Sequence, residues 1–330
     1  MKEKRVSLED IAKSIGVSKA TVSFVLNGKG DEFNISKEKQ RLIREKAKEL
    51  LYVPNFFAKS LRQGDTKTIG LVLADISNPF YAEMCKTIQL SLYEHGYTTF
   101  IVNSSDDLEL EKTLMRELIQ RSIDGMIISP CNTIEALIPI LHETHIPVVF
   151  ADRPGDDQAD YVGVDNMKEA EKLLGSFSKK PKRLVVLSQH AENIATIERR
   201  IEGTVVVCRK EKIDHVIINL PKDQKDIDKL IREELKKGAD SFLPLNNLVA
   251  FKTIAALKNL KVNIRKDARL ISFDDHIAFE YMEPPISALS HPVKHIATES
   301  VERLIDRLKE KKAPGKHLLL SCEFIARGSH

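Results

Sequence analysis

Asp274 and Asp275 are the first residues to weigh for catalysis, because paired carboxylates can share acid and base work. They end a strand-like run, RLISFDD, where neighbouring side chains point to opposite faces, so they make a poor couple. No Ser/His/Asp or Cys/His set stands in a recognisable catalytic motif, and neither GxxxxGK(S/T) nor GxGxxG occurs to cradle a phosphate. Cys85, Cys131, Cys208 and Cys322 lie far apart with no CxxC spacing, so reduced, buried thiols are expected rather than a metal or redox centre. The chain reads as a non-enzyme without cofactors. Nucleic-acid binding is better supported. Leu8-x-x-Ile-Ala-x-x-x-Gly16-Val-Ser, followed at once by Lys-Ala-Thr-Val-Ser, has helix-turn-helix spacing. Ala12 is small enough for two helices to cross closely, Gly16 permits the turn, and Val17 and Val22 lock the second helix to the first. That second helix offers Lys19, Ala20, Ser23 and Phe24 outward, toward a major groove.

The elements that must position these residues follow from local signals. Ser7 caps a helix over 8–14 with Asp10 completing an acidic capping box, Ser18 caps one running to Leu26, and Ser36 caps a third, with Ile35 as a staple. Leu8, Ile11, Ala12 and Ile15 fall on one face of the first, Val22, Val25 and Leu26 form the inward stripe of the second, and in the third Leu42, Ile43 and Leu50 alternate with many Lys/Arg/Glu. Residues 1–65 carry 14 Lys/Arg against 9 Asp/Glu, whereas the whole chain is only +3. A basic head on a near-neutral body suits a polyanion at one end. From Thr68 onward strand-like runs (TIGLVLA, YTTFIVN, DGMIIS, PVVFAD, RLVVLS, HVIINL, SFLPL, RLISF) alternate with amphipathic stretches. Such alternation predicts an α/β body of doubly wound parallel sheets, and its length predicts two sheets. No apolar stretch approaches the roughly 18–20 residues of a membrane span, and the N-terminus turns polar at once. A cytoplasmic protein without a membrane partner is expected.

SLEDIAKSIGVSKATVSFVLNG, then YVPNFFAKSLRQGDTKTIGLVLADISNPFYAE, resembles the LacI/GalR family of bacterial regulators, and the likeness continues through DGMIISP, IPVVFADRP, YVGVDN, ERRIEG and ISFDD. It implies a three-helix DNA-binding head (1–53), a hinge helix and linker (54–67), and a two-lobed, periplasmic-binding-protein-like effector and dimerisation domain (68–330). By resemblance, Lys19 and Ala20 face base edges and Thr21 and Ser23 bond phosphates. Ser7 and Asn27 join the DNA-facing set. Phe24 stands where the family usually has Arg. It can offer only apolar contact, for instance to a thymine methyl, so the operator should lack a guanine preference there; alternatively Phe24 packs on its own head. The loop Lys29–Asn34 is longer than the family norm. Its Asp31 and Glu32 should turn it away from DNA, or it bears on a partner head. In the hinge, Asn55 bonds phosphate, Ala58 permits close approach of two copies, and Leu61 wedges into the minor groove.

The same resemblance places effector contacts at Asp75, Asn78, Phe80, Asp152, Arg153, Arg200, Asn246, Asp274 and His291. Three departures stand out: Asn246-Asn247 for the usual Asn-Asp, His291 for a glutamine, and KKPKRLVVL without the Gly-His signature. Arg153, Arg200 and His291 together suggest negative charge on the effector, which is expected to be a sugar, sugar phosphate or sugar acid. The implied protein is a repressor that binds a near-palindromic double-stranded DNA operator as a homodimer and answers allosterically to that effector. A transport solute-binding protein would not carry the head, and an enzyme would need a motif that is absent.

Overall fold

The computed structural model describes residues 6–53, 64–131, 134–144, 146–189, 194–220, 226–310 and 314–330. The chain divides into Met1–Thr66 and Lys67–His330. Asn55, Ala58 and Leu61 fall outside the described residues.

In the smaller unit, short-range polar contacts start each helix. Ahead of α1 (Leu8–Ile15), the Asp10 amide donates to the Ser7 hydroxyl and the Ser7 amide to the Asp10 carboxylate. Gly16 ends α1 in the left-handed region (φ 67°), and the Val17 amide donates back to the Ala12 carbonyl. Ser18 caps α2 (Lys19–Leu26) by accepting from the Thr21 amide, and Ser36 does the same for α3 (Lys37–Glu49) from Lys39. Ile11, Ala12, Val22, Val25, Ile43 and Ala47 form the core. Of the apolar residues on α3, Leu42 is 47% exposed. Ile43 takes the inward position, and a neighbouring helical residue turns about 100° away.

The larger unit holds two sheets, each of six strands. The first uses β1 (Thr68–Leu73), β2 (Thr98–Asn103), β3 (Gly125–Ile128), β4 (Val148–Ala151), β5 (Asp160–Val164) and β11 (His317–Leu320), in the order β11-β5-β4-β3-β1-β2. Its pairings are all parallel. The second uses β6 (Arg183–Gln189), β7 (Asp214–Leu220), β8 (Ser241–Pro244), β9 (Arg269–Phe273), β10 (Ser287–Ser290) and β12 (Glu323–Ile325), in the order β12-β10-β9-β8-β6-β7. Only β12 runs antiparallel there. Eight of these strands are legible as apolar runs in the sequence; β5, β10, β11 and β12 are not. Length does not set them apart, since β3, β4 and β8 are also only four residues long; β11 and β12 are sheet-edge strands at best part-buried, and in β5 and β10 Asp, Gly and Ser interrupt the apolar run.

The helices of this unit are α4 (Pro79–Glu94), α5 (Leu108–Gln120), α6 (Ile138–Thr144), α7 (Asn166–Leu174), α8 (Ala195–Lys210), α9 (Ile227–Lys236), α10 (Asn247–Asn259) and α11 (Val293–Lys309). The chain passes between lobes after β5, after β10 and after β11. As a result, α11 buries Ile296, Ala297, Val301 and Leu304 in the first lobe's core although β10 belongs to the second. Helices α7 and α8 touch backbone to backbone at Gly203, where a Cβ would lie 2.2 Å from the Met167 carbonyl oxygen. That approach sets Arg200, one turn earlier, against Asn166. The final residues are built into the second lobe: Ser329 is buried, its hydroxyl donates to the Leu270 carbonyl (2.6 Å) and accepts from the Ser287 amide (2.8 Å).

Candidate functional site

Each sheet reverses its strand order beside its first strand, so the loops leaving β1 and β3, and those leaving β6 and β8, part around a crevice. The two crevices face each other across a cavity of about 320 Å³. Eight of the nine predicted effector residues line it: Asp75, Asn78, Phe80, Asp152 and Arg153 from the first lobe, Arg200, Asn246 and Asp274 from the second. His291 does not line it. Its ring is buried behind Arg200, 3.4 Å from a guanidinium nitrogen, and stands edge-on to Phe80. Tyr81, Asp106, Gln189, Thr196, Leu248 and Lys252 also line the cavity and had not been anticipated.

Both arginines are held in place by internal partners. Arg153 donates to Asp106 (2.9 Å) and to the carbonyls of Pro130 and Cys131. Arg200 donates to Asn166 (2.8 Å), the Leu245 carbonyl (2.6 Å) and Asp274 (3.2 Å), with its guanidinium 4.0 Å above the Phe273 ring. Asp152 accepts from the Tyr81 hydroxyl (3.1 Å) through Oδ2, while its buried Oδ1 accepts nothing. Burial raises the Asp152 carboxyl above its usual range against the opposing pull of Arg200 and Arg153. Burial likewise pushes Asp274 to about 6, with Arg200 again opposing. Burial, then Arg200, holds His291 well below the usual histidine range, so it stays neutral. Arg153, Arg200 and His291 therefore bring no uncompensated positive charge to the cavity, because each guanidinium already faces a carboxylate and the imidazole is neutral. Lys252, bonded to the Gln189 amide oxygen at 2.6 Å, is the one lining cation without an ion pair among the described residues.

Asn246 spends its side chain capping α10 through the Val249 amide (2.8 Å). Its neighbour Asn247 is buried and donates across the cleft to Asn78 (3.3 Å). An amide bridges the lobes there, where a carboxylate would face the Asn78 oxygen. Asp275 points away, as expected, into a bidentate pair with Arg327. Cys85, Cys131 and Cys208 are buried free thiols, while Cys322 is half-buried.

On the head, Lys19 and Ala20 are exposed on the first turn of α2, with Thr21, Ser23 and Phe24 part-buried beside them. The Thr21 and Ser18 hydroxyls lie 2.8 Å apart, and Asn27 bonds back to the Ser23 carbonyl (2.7 Å). Ser7 serves the capping box. Phe24 is stacked on Phe33 of the following loop. The loop's acids are matched internally, Asp31 by Lys37 (2.7 Å) and Glu32 by Lys29 (3.9 Å), which softens the electrostatic cost expected of them near phosphates.

Residues 7–55 match the bacterial regulatory proteins of the lacI family, and residues 178–330 match a periplasmic binding protein-like domain. This chain belongs to the lacI family. The HTH-type transcriptional regulator KdgR of Bacillus subtilis (strain 168) is 28% identical, covering 98% of this chain and 97% of its own. The HTH-type transcriptional repressor PurR of Aliivibrio fischeri (strain MJ11) is 26% identical, with 98% of each chain covered. Among solved structures, the lac repressor dimer bound to operator and the anti-inducer ONPF superposes with a TM-score of 0.84, at 19% identity over 99% of each chain. A LacI family regulator from Enterococcus faecium with bound ribose gives 0.70 at 21% identity, over 79% of this chain and 98% of its own. This lacI-family protein is a DNA-binding transcriptional regulator. No helix among its described residues is long and apolar enough to cross a membrane.

Proposed function

We propose that this regulator is a cytoplasmic repressor that binds a near-palindromic operator as a homodimer and is controlled by a neutral sugar held between its lobes. The observation that carries the effector reading is the convergence of Asp75, Asp152, Arg153, Arg200 and Asp274 from both lobes on one cavity, with Phe80 and Tyr81 beside them. Carboxylates and guanidiniums in register with an aromatic face suit the hydroxyls and the apolar face of a sugar ring. A ligand gripped from both sides favours the closed state, and operator affinity changes by the linked coupling free energy. Solved relatives of this architecture hold ribose and D-xylulofuranose, which supports the class without naming the compound.

Thermal-shift screening of neutral sugars, sugar phosphates and sugar acids against the full chain tests the effector class. A neutral sugar should raise the unfolding temperature, and Asp152→Asn should abolish the shift. Stabilisation by phosphates or acids alone would overturn the neutral assignment. Operator binding supplies the second arm: an effector that binds the closed and open states of the body unequally should shift DNA affinity, and a sugar that stabilises the body without doing so is a ligand but not the effector. By resemblance, Leu61 acts at the DNA, so Leu61→Ala should weaken operator binding far more than sugar binding; equal losses by titration calorimetry and fluorescence anisotropy would remove that role.

A further inference from the structure

The loop between α2 and α3 carries Phe33, and nothing in the family reading gives this residue a task. Its ring lies face to face with Phe24, with centroids 3.6 Å apart and planes 11° from parallel. Free aromatic pairs prefer offset or edge-on contact, with centroids about 4.5–7 Å apart, so the backbone must hold this one. The means are visible. The Lys29 amide donates to the Phe24 carbonyl (2.8 Å), and the Ile35 amide to the Gly30 carbonyl (2.9 Å). Gln40, buried at the start of α3, donates to Asp31 (2.8 Å) and to the Ile35 carbonyl (2.8 Å), and fills the space a Cβ on Gly30 would need. Lys37 grips both oxygens of Asp31 (2.8 and 2.7 Å). Phe33 nevertheless stays 50% exposed, so this staple serves something other than burial.

Ala20 and Phe24 stand four residues apart on one face of α2, and Ala20 is exposed at its first turn. Phe33 extends that face by a second ring. The two nearly parallel rings have centroids 3.6 Å apart, close to the roughly 3.4 Å rise between successive base pairs. We propose that Phe33 is a specificity-determining residue outside the recognition helix: with Phe24 it reads two adjacent base pairs, through the methyl groups of thymines. The proposal rests on the reading that α2 brings Phe24 to base edges in the major groove.

The test uses the full chain and a randomised duplex pool, then the selected duplex with single dT→dU replacements, which delete one methyl each. Selection should return thymine at two adjacent positions in each half-site, and each dU should weaken binding about fourfold, the worth of one buried methyl. Phe33→Ala should lose the dU penalty at one of the two positions, Phe33→Tyr should restore it, and the salt dependence should stay that of the wild type. If Phe24→Ala changes the selected sequence while Phe33→Ala leaves sequence and dU penalties intact, Phe33 only supports the loop and the proposal falls. If Phe24→Ala also changes nothing, the base-reading role of Phe24 has failed first. The dU arm needs no variant and decides alone if Phe33→Ala unfolds the head. A penalty at one position or none per half-site overturns the proposal.

Discussion

Asp152 and Asp274 occupy equivalent places in the two lobes, one following β4 and the other β9, third from the same edge of each sheet. Each is buried and left-handed, with φ of 66° and 78°. For a residue with a Cβ that conformation is costly, and aspartate tolerates it better than most. The two carboxylates face a shared guanidinium, Arg200, which opposes the effect of burial on both. Asp274 has its carboxyl raised from 3.8 to about 6, so its stability contribution is present below about 3.8 and lost as pH rises through about 6. Sugar binding should run the other way. A hydroxyl donating to Asp274 favours the ionised form, so binding lowers that carboxyl and expels a proton. Affinity should therefore climb as pH rises toward about 6, by at most tenfold per unit, and level off above it. Titration calorimetry in two buffers of different ionisation enthalpy reads the released proton; affinity flat across that range would show that the effector does not address Asp274.

The elements show why parts of this molecule were legible in its sequence and others were not. The head was readable because Ser7, Gly16, Ser18 and Ser36 act within four residues of themselves. Predictable caps also make predictable losses. Ser18 accepts the Thr21 amide at 3.0 Å and lies 2.8 Å from the Thr21 hydroxyl, so it both starts α2 and orients a hydroxyl that the proposed function turns toward DNA. Ser18→Ala should cost the head about 1 kcal/mol and reduce operator affinity, with sugar binding by the body unchanged. Hydrogen exchange at the first turn of α2, with anisotropy for DNA, checks both halves; unaltered exchange there would mean the cap contributes nothing. The body was legible only where an element was long or a strand end matched a family motif. Tyr81, on α4, drew no expectation from the sequence, yet it delivers its hydroxyl to Asp152. Asn247 reads as a lost carboxylate, yet its amide bridges the lobes. His291 was placed at the ligand because it stands where the family has a glutamine, while tertiary packing put Arg200 in front of it. Each depends on what arrives from another part of the chain.

At the scale of the whole molecule, the first sheet has an edge that a single copy leaves bare. β2 is its terminal strand, with Phe100 and Ile101 exposed, and Leu90 and Tyr93 stand exposed on α4, the helix that precedes it. In the second lobe Ile277 and Tyr281 protrude from the short turn after β9. Flat apolar strand edges invite pairing, and natural monomers blunt them with charge. β2 (TTFIVN) carries no charged residue to blunt it, and the proposed homodimer would give these apolar residues a partner in a second copy of the chain. On the proposed homodimer reading, pairing would also set DNA affinity, because each head would hold one half-site and the second would be gained only while the bodies stay paired. Phe100→Lys puts a charge where two copies would meet while leaving the cleft untouched. Sedimentation should show the variant as a monomer, and operator affinity should fall by roughly 100-fold or more, the order of the avidity lost when two linked sites become one. Sugar affinity without DNA should remain within about twofold, since single surface changes rarely reach beyond about 0.5 kcal/mol. A variant that sediments like the wild type and keeps its operator affinity would move the dimer contact off β2, and leave the apolar edge without a partner.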